Sequence, residues 1–393
     1  MRFFLSLIAI VAILAVTGCT TDGGGRAPTG STWTIMVFLN AANDLDEFSD
    51  LNVNQMERAA INDEVKMVVQ WKRASRFVKP GTWTGTRRYL VKHDQTDAIG
   101  SQLLQDMGQG VDMGNADVLK EFVLWAKTNF PADRYMLVVW NHGSGWRSHR
   151  PAPLGRGVSF DDELGTSINT WELPGALADT KPLDILAFDA SLMQMLEVAY
   201  ECKDVAQLIV GSEESPPAAG YPYDLFMRPL AQNPAMSTIE FAETIVNKTI
   251  QHYGQNSNIT HSVLDASKLQ SVADALDQLA SLLIAKRPQY QSELALARQQ
   301  GQSYSSYTEY KDLRHVTDLV RQRTGDAQIG VAVGMLHQRI DAAVLAEVHG
   351  NNGVQNSHGV SIYFPSAGEF LRRYKNLALA RATLWDEWLE IAP

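Results

Sequence analysis

The chain has 393 residues, of which 45% are hydrophobic, so it can bury one large core or two smaller ones. Its 44 acidic residues exceed its 34 basic residues, which gives a net charge of −10 at pH 7, and no basic cluster occurs in the sequence. This balance excludes nucleic acid as an expected partner, because binding to phosphates requires clustered Lys and Arg.

The first 19 residues have the pattern of an export signal. Arg2 precedes an almost unbroken apolar run over residues 3–16, which is shorter than the about 20 residues of a membrane-spanning helix. Small residues and Cys19 follow the run. This ending resembles a bacterial lipobox, in which Cys19 would be lipidated and become the first mature residue. The alternative is a plain signal peptide with a chance cysteine.

The residues around the predicted lipid site extend this interpretation. Thr20, in place of Asp, favours the outer membrane by resemblance to the sorting rules of enteric bacteria. We therefore predict a lipid-anchored protein of the bacterial cell envelope that faces the periplasm or the exterior. Residues 20–32 are small, polar and Gly-rich, which predicts a flexible tether. With Cys19 lipidated, only Cys202 remains, so neither an internal disulfide nor a cysteine-rich metal site is expected.

From residue 33 onward, apolar strand-like runs alternate with helical segments. Strands are predicted at residues 33–39, 65–71, 82–91, 135–140, 183–188, 206–211 and 360–364. Helices are predicted at residues 44–60, 115–129, 191–201, 237–255, 269–300, 309–323 and 369–390. This alternation predicts an α/β fold, with a mostly parallel sheet flanked by helices on both faces. Residues 33–230 are expected to form the main domain and residues 231–393 a helix-rich C-terminal region that completes the fold.

Two predicted strands are followed by residues that can perform chemistry. His142 and Gly143 follow the fourth strand, and Asp189 and Ser191 follow the fifth. Ligands bind beyond the carboxyl ends of the strands in an open parallel sheet. A histidine beside glycines supplies an imidazole and oxyanion-stabilising N–H groups, and a short side chain on a strand-to-helix turn can present a nucleophile. On spacing alone, His142 is equally well explained as a surface loop residue. Ser191 is more simply explained as a helix N-cap, and Asp189 as a solvated or capping carboxylate.

Several separated segments, in the same order, resemble the clostripain family of cysteine peptidases, which share the caspase-like fold. The segments are WTIMVFLNAANDLD, YMLVVWNHGSGW, LDILAFDASLMQMLEVAYE, VGSEESPPAAGYPYD and HGVSIYFP. The resemblance implies a caspase-like domain over residues 33–230, with His142 as the catalytic histidine and Gly143 as a backbone oxyanion donor. It also implies that Asp189 belongs to an acidic specificity pocket. The implied substrates are peptides or proteins with Arg or Lys, which a carboxylate binds through charge-assisted contacts.

The nucleophile position departs from the family pattern. Family members carry cysteine in the context DACLM, whereas this chain has DASLM at residues 189–193, with Ser191 at the cysteine position. Cys202 cannot substitute, because eleven positions along the same predicted helix correspond to about 16 Å. It is expected to be a buried, inert thiol. Cysteine has a small thiolate fraction at neutral pH, whereas serine must lose its proton during attack, usually to a histidine supported by a carboxylate.

The sequence assigns no such supporting carboxylate, since Asp161 and Asp162 are explained as part of a polar turn. We therefore predict weak or absent peptidase activity in a pocket that still binds peptides with a basic residue. One alternative is a working serine peptidase that uses Ser191 and His142. Another is an active protein into which serine was introduced in place of cysteine. A third is a structural or scaffold lipoprotein that keeps these motifs as relics.

Other residues near the predicted site carry weaker expectations. Glu213 and Glu214 end a predicted strand and are explained as solvated carboxylates, with a place in the pocket wall as the alternative. Basic residues within 147–156 are candidate sites of self-cleavage. His142 and His149 are seven positions apart, which is not a usual spacing of metal ligands. No metal site and no cofactor are expected.

Overall fold

The structure is a computed structural model that describes residues 32–59, 61–147, 157–305 and 307–393. The predicted signal peptide, the predicted lipid site at Cys19 and nearly all of the predicted tether lie outside these ranges. Within these ranges, no helix combines the length and the apolar character needed to cross a membrane.

The described residues contain fourteen strands and eleven α-helices. The strands are β1 (Trp33–Ala41), β2 (Val65–Arg73), β3 (Gly85–Leu90), β4 (Gln102–Gly108), β5 (Arg134–Trp140), β6 (Val158–Asp161), β7 (Thr166–Ile168), β8 (Leu183–Asp189), β9 (Ala206–Gly211), β10 (Thr260–Asp265), β11 (Ser303–Tyr304), β12 (Tyr307–Asp312), β13 (Val344–His349) and β14 (Ser361–Tyr363). The helices are α1 (Asp46–Arg58), α2 (Ala116–Asn129), α3 (Leu173–Ala178), α4 (Leu196–Cys202), α5 (Tyr223–Gln232), α6 (Thr238–Tyr253), α7 (Leu269–Gln300), α8 (Leu313–Thr324), α9 (Ala327–Ala343), α10 (Ala378–Ala382) and α11 (Trp385–Ile391).

One large sheet organises the fold. Its nine strands, counted within the described ranges, have the order β13-β10-β9-β8-β5-β1-β2-β3-β4. The five strands from β9 to β2 run parallel. Two antiparallel strands extend the sheet at each edge. This architecture confirms the predicted α/β fold class, and the sequence prediction missed three of the antiparallel strands of this sheet, β4, β10 and β13.

The strand order changes direction at β1, since β2 lies on one side of it and β5 on the other. At such a switch point the connections leave toward opposite sides and open a crevice beyond the carboxyl ends of the strands. The fold therefore places the ends of β1 and β5 beside the position where a ligand is expected.

Both faces of the parallel strands are buried, which explains why these strands are apolar without alternation. In β1, Met36 and Phe38 belong to the core on one face. Ile35, Val37 and Leu39 belong to the core on the other face. Helices α2, α4, α7, α8 and α9 cover the first face, and α1, α5 and α6 cover the second.

The predicted helix at residues 191–201 is wrong over its first turn, because α4 begins only at Leu196. The preceding backbone bonds instead to the segment after β9. The Leu192 N–H donates to the Glu214 carbonyl at 3.3 Å, and the Gln194 N–H donates to the Ser212 carbonyl at 3.1 Å. Ser191 therefore lies in an irregular turn and not at a helix N-cap.

Two predicted helices near the C-terminus are also corrected. Residues 309–323 form the end of β12 followed by α8, and β12 pairs with β11 and β14 in a separate three-stranded sheet. Residues 369–390 are divided between 3-10 turns and the short helices α10 and α11. The predicted helix at 269–300 is confirmed as α7, with a kink at Tyr290. Pro288 lies two residues earlier and cannot donate the helical hydrogen bond at its position.

A buried ion pair joins β2 to β6 and yields a test of the fold. The Lys72 ammonium lies 2.7 Å from the Asp161 carboxylate, and both side chains are fully buried. We expect Lys72→Met to lower the free energy of unfolding by about 3–5 kcal/mol, because it leaves a buried carboxylate without its partner. Urea denaturation measures this change.

The matched control is Arg58→Met, which breaks the pair between Arg58 and the largely exposed Asp97. That substitution should cost about 1 kcal/mol or less. Equal losses in the two variants would contradict the assignment of Lys72 and Asp161 as a buried structural pair.

Candidate active site

The carboxyl ends of β5 and β8 open into a cleft of about 280 Å³. Its lining includes His142, Asp189 and Ser191, together with residues 215–218 and Gly220. The structure therefore brings these three predicted site residues together. A larger cavity of about 810 Å³ contains none of them, so it is not the site that the sequence predicts.

The Asn141 side chain fixes the loop that carries the histidine. Its amide N–H groups donate to the carbonyl oxygens of Asn40, at 2.5 Å, and Phe160, at 3.1 Å. Its amide oxygen accepts the Phe160 N–H at 2.8 Å. The Asn141 backbone N–H also donates to the Asp189 carbonyl at 3.2 Å. One buried residue thus connects the ends of β1, β5 and β8 directly before His142.

Asp44 holds the imidazole of His142 from the loop after β1. Its Oδ1 atom lies 2.6 Å from His142 Nε2, which is a charge-assisted distance when the ring is protonated. Within the described ranges, Nδ1 of the ring makes no hydrogen bond, so it is the nitrogen left to face a reacting group. The sequence analysis missed Asp44. Its signal was a carboxylate just past a strand that neighbours the strand of the histidine.

Gly143 lies directly against the backbone of Ser191. A Cβ atom at position 143 would lie 2.3 Å from the Ser191 carbonyl oxygen and 3.1 Å from the Ala190 Cβ. No side chain fits there, so glycine allows the two loops to approach each other. The close approach places the backbone of residue 143 against the backbone of residue 191.

Asp189 is a buried residue of the cleft lining. Its Oδ1 and Oδ2 atoms lie 3.1 Å and 3.2 Å from the Tyr221 backbone nitrogen. Oδ2 also accepts the Tyr223 hydroxyl at 2.9 Å. Burial raises the pKa of Asp189 from 3.8 to about 6, although these hydrogen bonds favour the charged form. At neutral pH the cleft therefore contains a desolvated carboxylate without a described cation beside it.

Comparison with known proteins identifies the family of the chain. The model of the clostripain family matches residues 37–391, which is most of the chain. The chain belongs to the clostripain family. A clostripain from Hathewaya histolytica is 28% identical over 214 residues, which cover 49% of this chain and 40% of that protein. The chain thus spans less than half the length of this curated relative.

Solved structures show the same fold. A secreted C11 cysteine protease from Bacteroides thetaiotaomicron, in complex with an irreversible peptide inhibitor, has a TM-score of 0.68 and 21% identity. An inactive zymogen of a C11 protease from Parabacteroides distasonis has a TM-score of 0.69 and 19% identity. Each match covers 91% of this chain and 99% of the solved one. At these identities the likeness shows the shared clostripain-family fold.

The structure corrects the prediction that the two glutamates after β9 are solvated. Glu213 and Glu214 are buried, not solvated, and neither lines the cleft. Glu213 accepts the Tyr304 hydroxyl at 2.9 Å and the Gly359 N–H at 3.1 Å. Glu214 accepts the Ser305 N–H at 2.8 Å. Both carboxylates therefore anchor the start of the cleft wall to the C-terminal region.

Other residues considered from the sequence lie outside this cleft. Cys202 is fully buried, and burial raises the pKa of its thiol. Asp161 pairs with Lys72 and does not support the histidine. Arg147 pairs with Glu309, while candidate self-cleavage residues 148–156 lie outside the described ranges. Within those ranges, no group of three or more His, Cys, Asp or Glu side chains is arranged to hold a metal ion.

The raised pKa of Asp189 predicts a stability that depends on pH. Asp has a pKa of about 3.9 in the unfolded chain. Between that pH and about 6, the folded protein binds a proton that the unfolded chain lacks, so this contribution to stability is lost as the pH rises through 6. Asp189→Asn cannot ionise. We expect its stability relative to the unmodified protein to increase by about 2–3 kcal/mol between pH 4 and pH 8.

Urea unfolding of both proteins at the two pH values measures this difference. Asp63→Asn removes an exposed carboxylate and is the control, and the change in effect between pH 4 and pH 8 should be larger for Asp189→Asn. An Asp189→Asn effect with no greater dependence on pH than that of the control would contradict the burial of this carboxylate.

Proposed function

We propose that this clostripain-family protein binds peptides through an Arg or Lys side chain and hydrolyses them weakly or not at all. The observation that carries the proposal is that His142, Ser191 and Asp189 line the same cleft. Peptides and proteins are the substrate class expected of a peptidase family. Three features of the proposal go beyond membership of the family: recognition of a basic residue in the peptide, low hydrolytic activity and a lipid anchor.

Recognition of a basic side chain rests on Asp189. Above pH 6 this buried carboxylate is ionised, and a cation restores the interactions that desolvation removed. Pro216, Pro217 and Ala218 also line the cleft and offer apolar contacts to the methylene stem of a Lys or Arg. The cleft thus combines apolar lining residues with one buried carboxylate.

Weak hydrolysis rests on the oxygen at position 191. Attack on a carbonyl by Ser191 requires that the hydroxyl proton moves to His142 as the bond forms. A cysteine thiol beside an imidazole is already partly ionised, so it needs less help from the base. The N–H of Gly143 would stabilise the tetrahedral oxyanion in either case. The serine therefore keeps the substrate position and the base but loses most of the nucleophilicity.

A second candidate function, hydrolysis by a Ser191–His142–Asp44 triad, is favoured by one observation. Asp44 supplies a carboxylate to the imidazole at 2.6 Å, as serine hydrolases require. However, the Asp44 side chain is 70% exposed and that of His142 is 33% exposed. Solvent weakens an ion pair at such positions, whereas the carboxylate of a working triad is buried. This difference in burial favours the weakly active protein over the working triad.

Restoring the thiol tests the proposed function. We expect Ser191→Cys to cleave reporter peptides that end in Arg or Lys at least about 100-fold faster than the unmodified protein, because its thiol is partly ionised whereas the serine hydroxyl depends on proton transfer to His142 during attack. Hydrolysis is followed by release of a fluorescent leaving group. The same variant should react with iodoacetamide at residue 191, while Cys202 stays unmodified because it is buried.

Two further variants distinguish the candidates. Ser191→Ala gives the background rate, and Asp44→Asn keeps the shape of the side chain while removing its charge. Fast cleavage by the unmodified protein that disappears in both variants would establish the triad and overturn the proposal that the protein hydrolyses peptides weakly or not at all. A folded Ser191→Cys variant that neither cleaves nor binds these peptides would overturn the proposal of a peptide-binding cleft.

The proposed location has its own test. A relative of the same fold is described as secreted, which supports export of this chain. We expect the protein to incorporate labelled palmitate and to fractionate with membranes in a Gram-negative host, since Cys19 ends a lipobox-like signal. Cys19→Ala should lose the label and release the protein, whereas Cys202→Ala should keep both. Label retained in Cys19→Ala would contradict lipidation at this residue.

A further inference from the structure

We infer that the cleft prefers Lys to Arg, because the backbone of the cleft wall already covers the edge of Asp189 at which an arginine fork would bind. The inference rests on the proposed function, since it concerns which basic side chain the same cleft selects. It follows from three contacts of the Asp189 carboxylate.

The first contact is the Tyr221 backbone N–H. Its nitrogen lies 3.1 Å from Oδ1 and 3.2 Å from Oδ2, so the group points between the two oxygens. This edge is the one on which a guanidinium forms two parallel hydrogen bonds. The N–H therefore occupies the position of the arginine fork.

The second contact is the close approach of Gly220 to the same edge. A Cβ atom at this residue would lie 2.8 Å from each carboxylate oxygen of Asp189. Gly220 has a φ of +66°, a left-handed conformation that glycine adopts without strain. Its carbonyl accepts the Tyr253 hydroxyl at 2.6 Å, which holds the segment in place. The peptide between residues 220 and 221 thus cannot be displaced without breaking these contacts.

The third contact is the Tyr223 hydroxyl, which donates to Oδ2 at 2.9 Å. An ionised carboxylate has about four positions that accept hydrogen bonds. The edge between the oxygens and the outer side of Oδ2 are occupied, which leaves the outer side of Oδ1 for a ligand. A cation in the cleft therefore meets one available acceptor and not a pair.

These contacts affect the two basic side chains differently. The ammonium of Lys is a compact charge that needs no fork, and it can bind one carboxylate oxygen while turning its other protons toward hydroxyls. The cleft offers the hydroxyls of Ser191 and Ser215. Arginine has five N–H donors in a rigid plane. Without its two parallel hydrogen bonds to both carboxylate oxygens, arginine leaves more donors unsatisfied than lysine does in a partly closed cleft.

Binding of three matched peptides to the purified protein tests the inference. The peptides are fluorescent and differ only in the residue for the cleft: Lys, Arg or uncharged norleucine. We expect Kd for the Lys peptide to be about tenfold lower than for the Arg peptide. Both should bind more tightly than norleucine. Arg binding equal to or tighter than Lys, with norleucine weakest, would overturn the inference and leave the proposed function intact. Equal binding of all three peptides would overturn both.

A variant pair locates the cause of the preference. Tyr223→Phe removes the hydroxyl from Oδ2 and should reduce the Lys-to-Arg affinity ratio by about threefold or more. Tyr200→Phe is the control, because its hydroxyl donates to Gln270 and not to Asp189, so its ratio should stay unchanged. An unaltered ratio in a folded Tyr223→Phe protein would contradict the role of the occupied oxygens.

Discussion

The parallel pairing of β1, β5 and β8 determines the position of the side chains that we assign to catalysis and binding. In this register Leu39 lies beside Trp140, and Trp140 lies beside Asp189. Because the strands end level with one another, the residues that follow them meet, although they are far apart in the chain. A slip of one residue would turn alternate side chains to the opposite face. Asn141, directly after β5, bonds to Asn40 of β1 through its side-chain amide and to Asp189 of β8 through its backbone N–H, and so opposes such a slip.

The two carboxylates of the proposed site differ in their exposure to solvent. The buried one is Asp189, the residue that we propose binds a ligand side chain. The carboxylate beside the histidine, Asp44, is largely in solvent. Desolvation therefore strengthens the proposed interaction of Asp189 with a cation, whereas water reduces the electrostatic field of Asp44 at the imidazole.

The sequence was sufficient to predict the parallel core and to select His142, Asp189 and Ser191, which line one cleft, because apolar runs and strand-end residues carry that information locally. It was not sufficient where pairing between distant segments decides the structure. The turn after Ser191 was predicted to be helical, since its bonds to Ser212 and Glu214 leave no local pattern. Asp44 was missed for a related reason. Its role depends on which strand lies beside β5, and neighbours in a sheet are not visible in one sequence.

The anchoring of the cleft wall has a consequence for attempts to transplant specificity. Glu213 and Glu214, just before the wall, are held by Tyr304, Gly359 and Ser305, all from the C-terminal region. A loop exchanged between relatives would arrive without these distant partners and would leave buried carboxylates unsatisfied. Redesign of substrate choice in this fold therefore requires that the cleft wall is exchanged together with its partners in the C-terminal region. A short contiguous graft would not carry those partners.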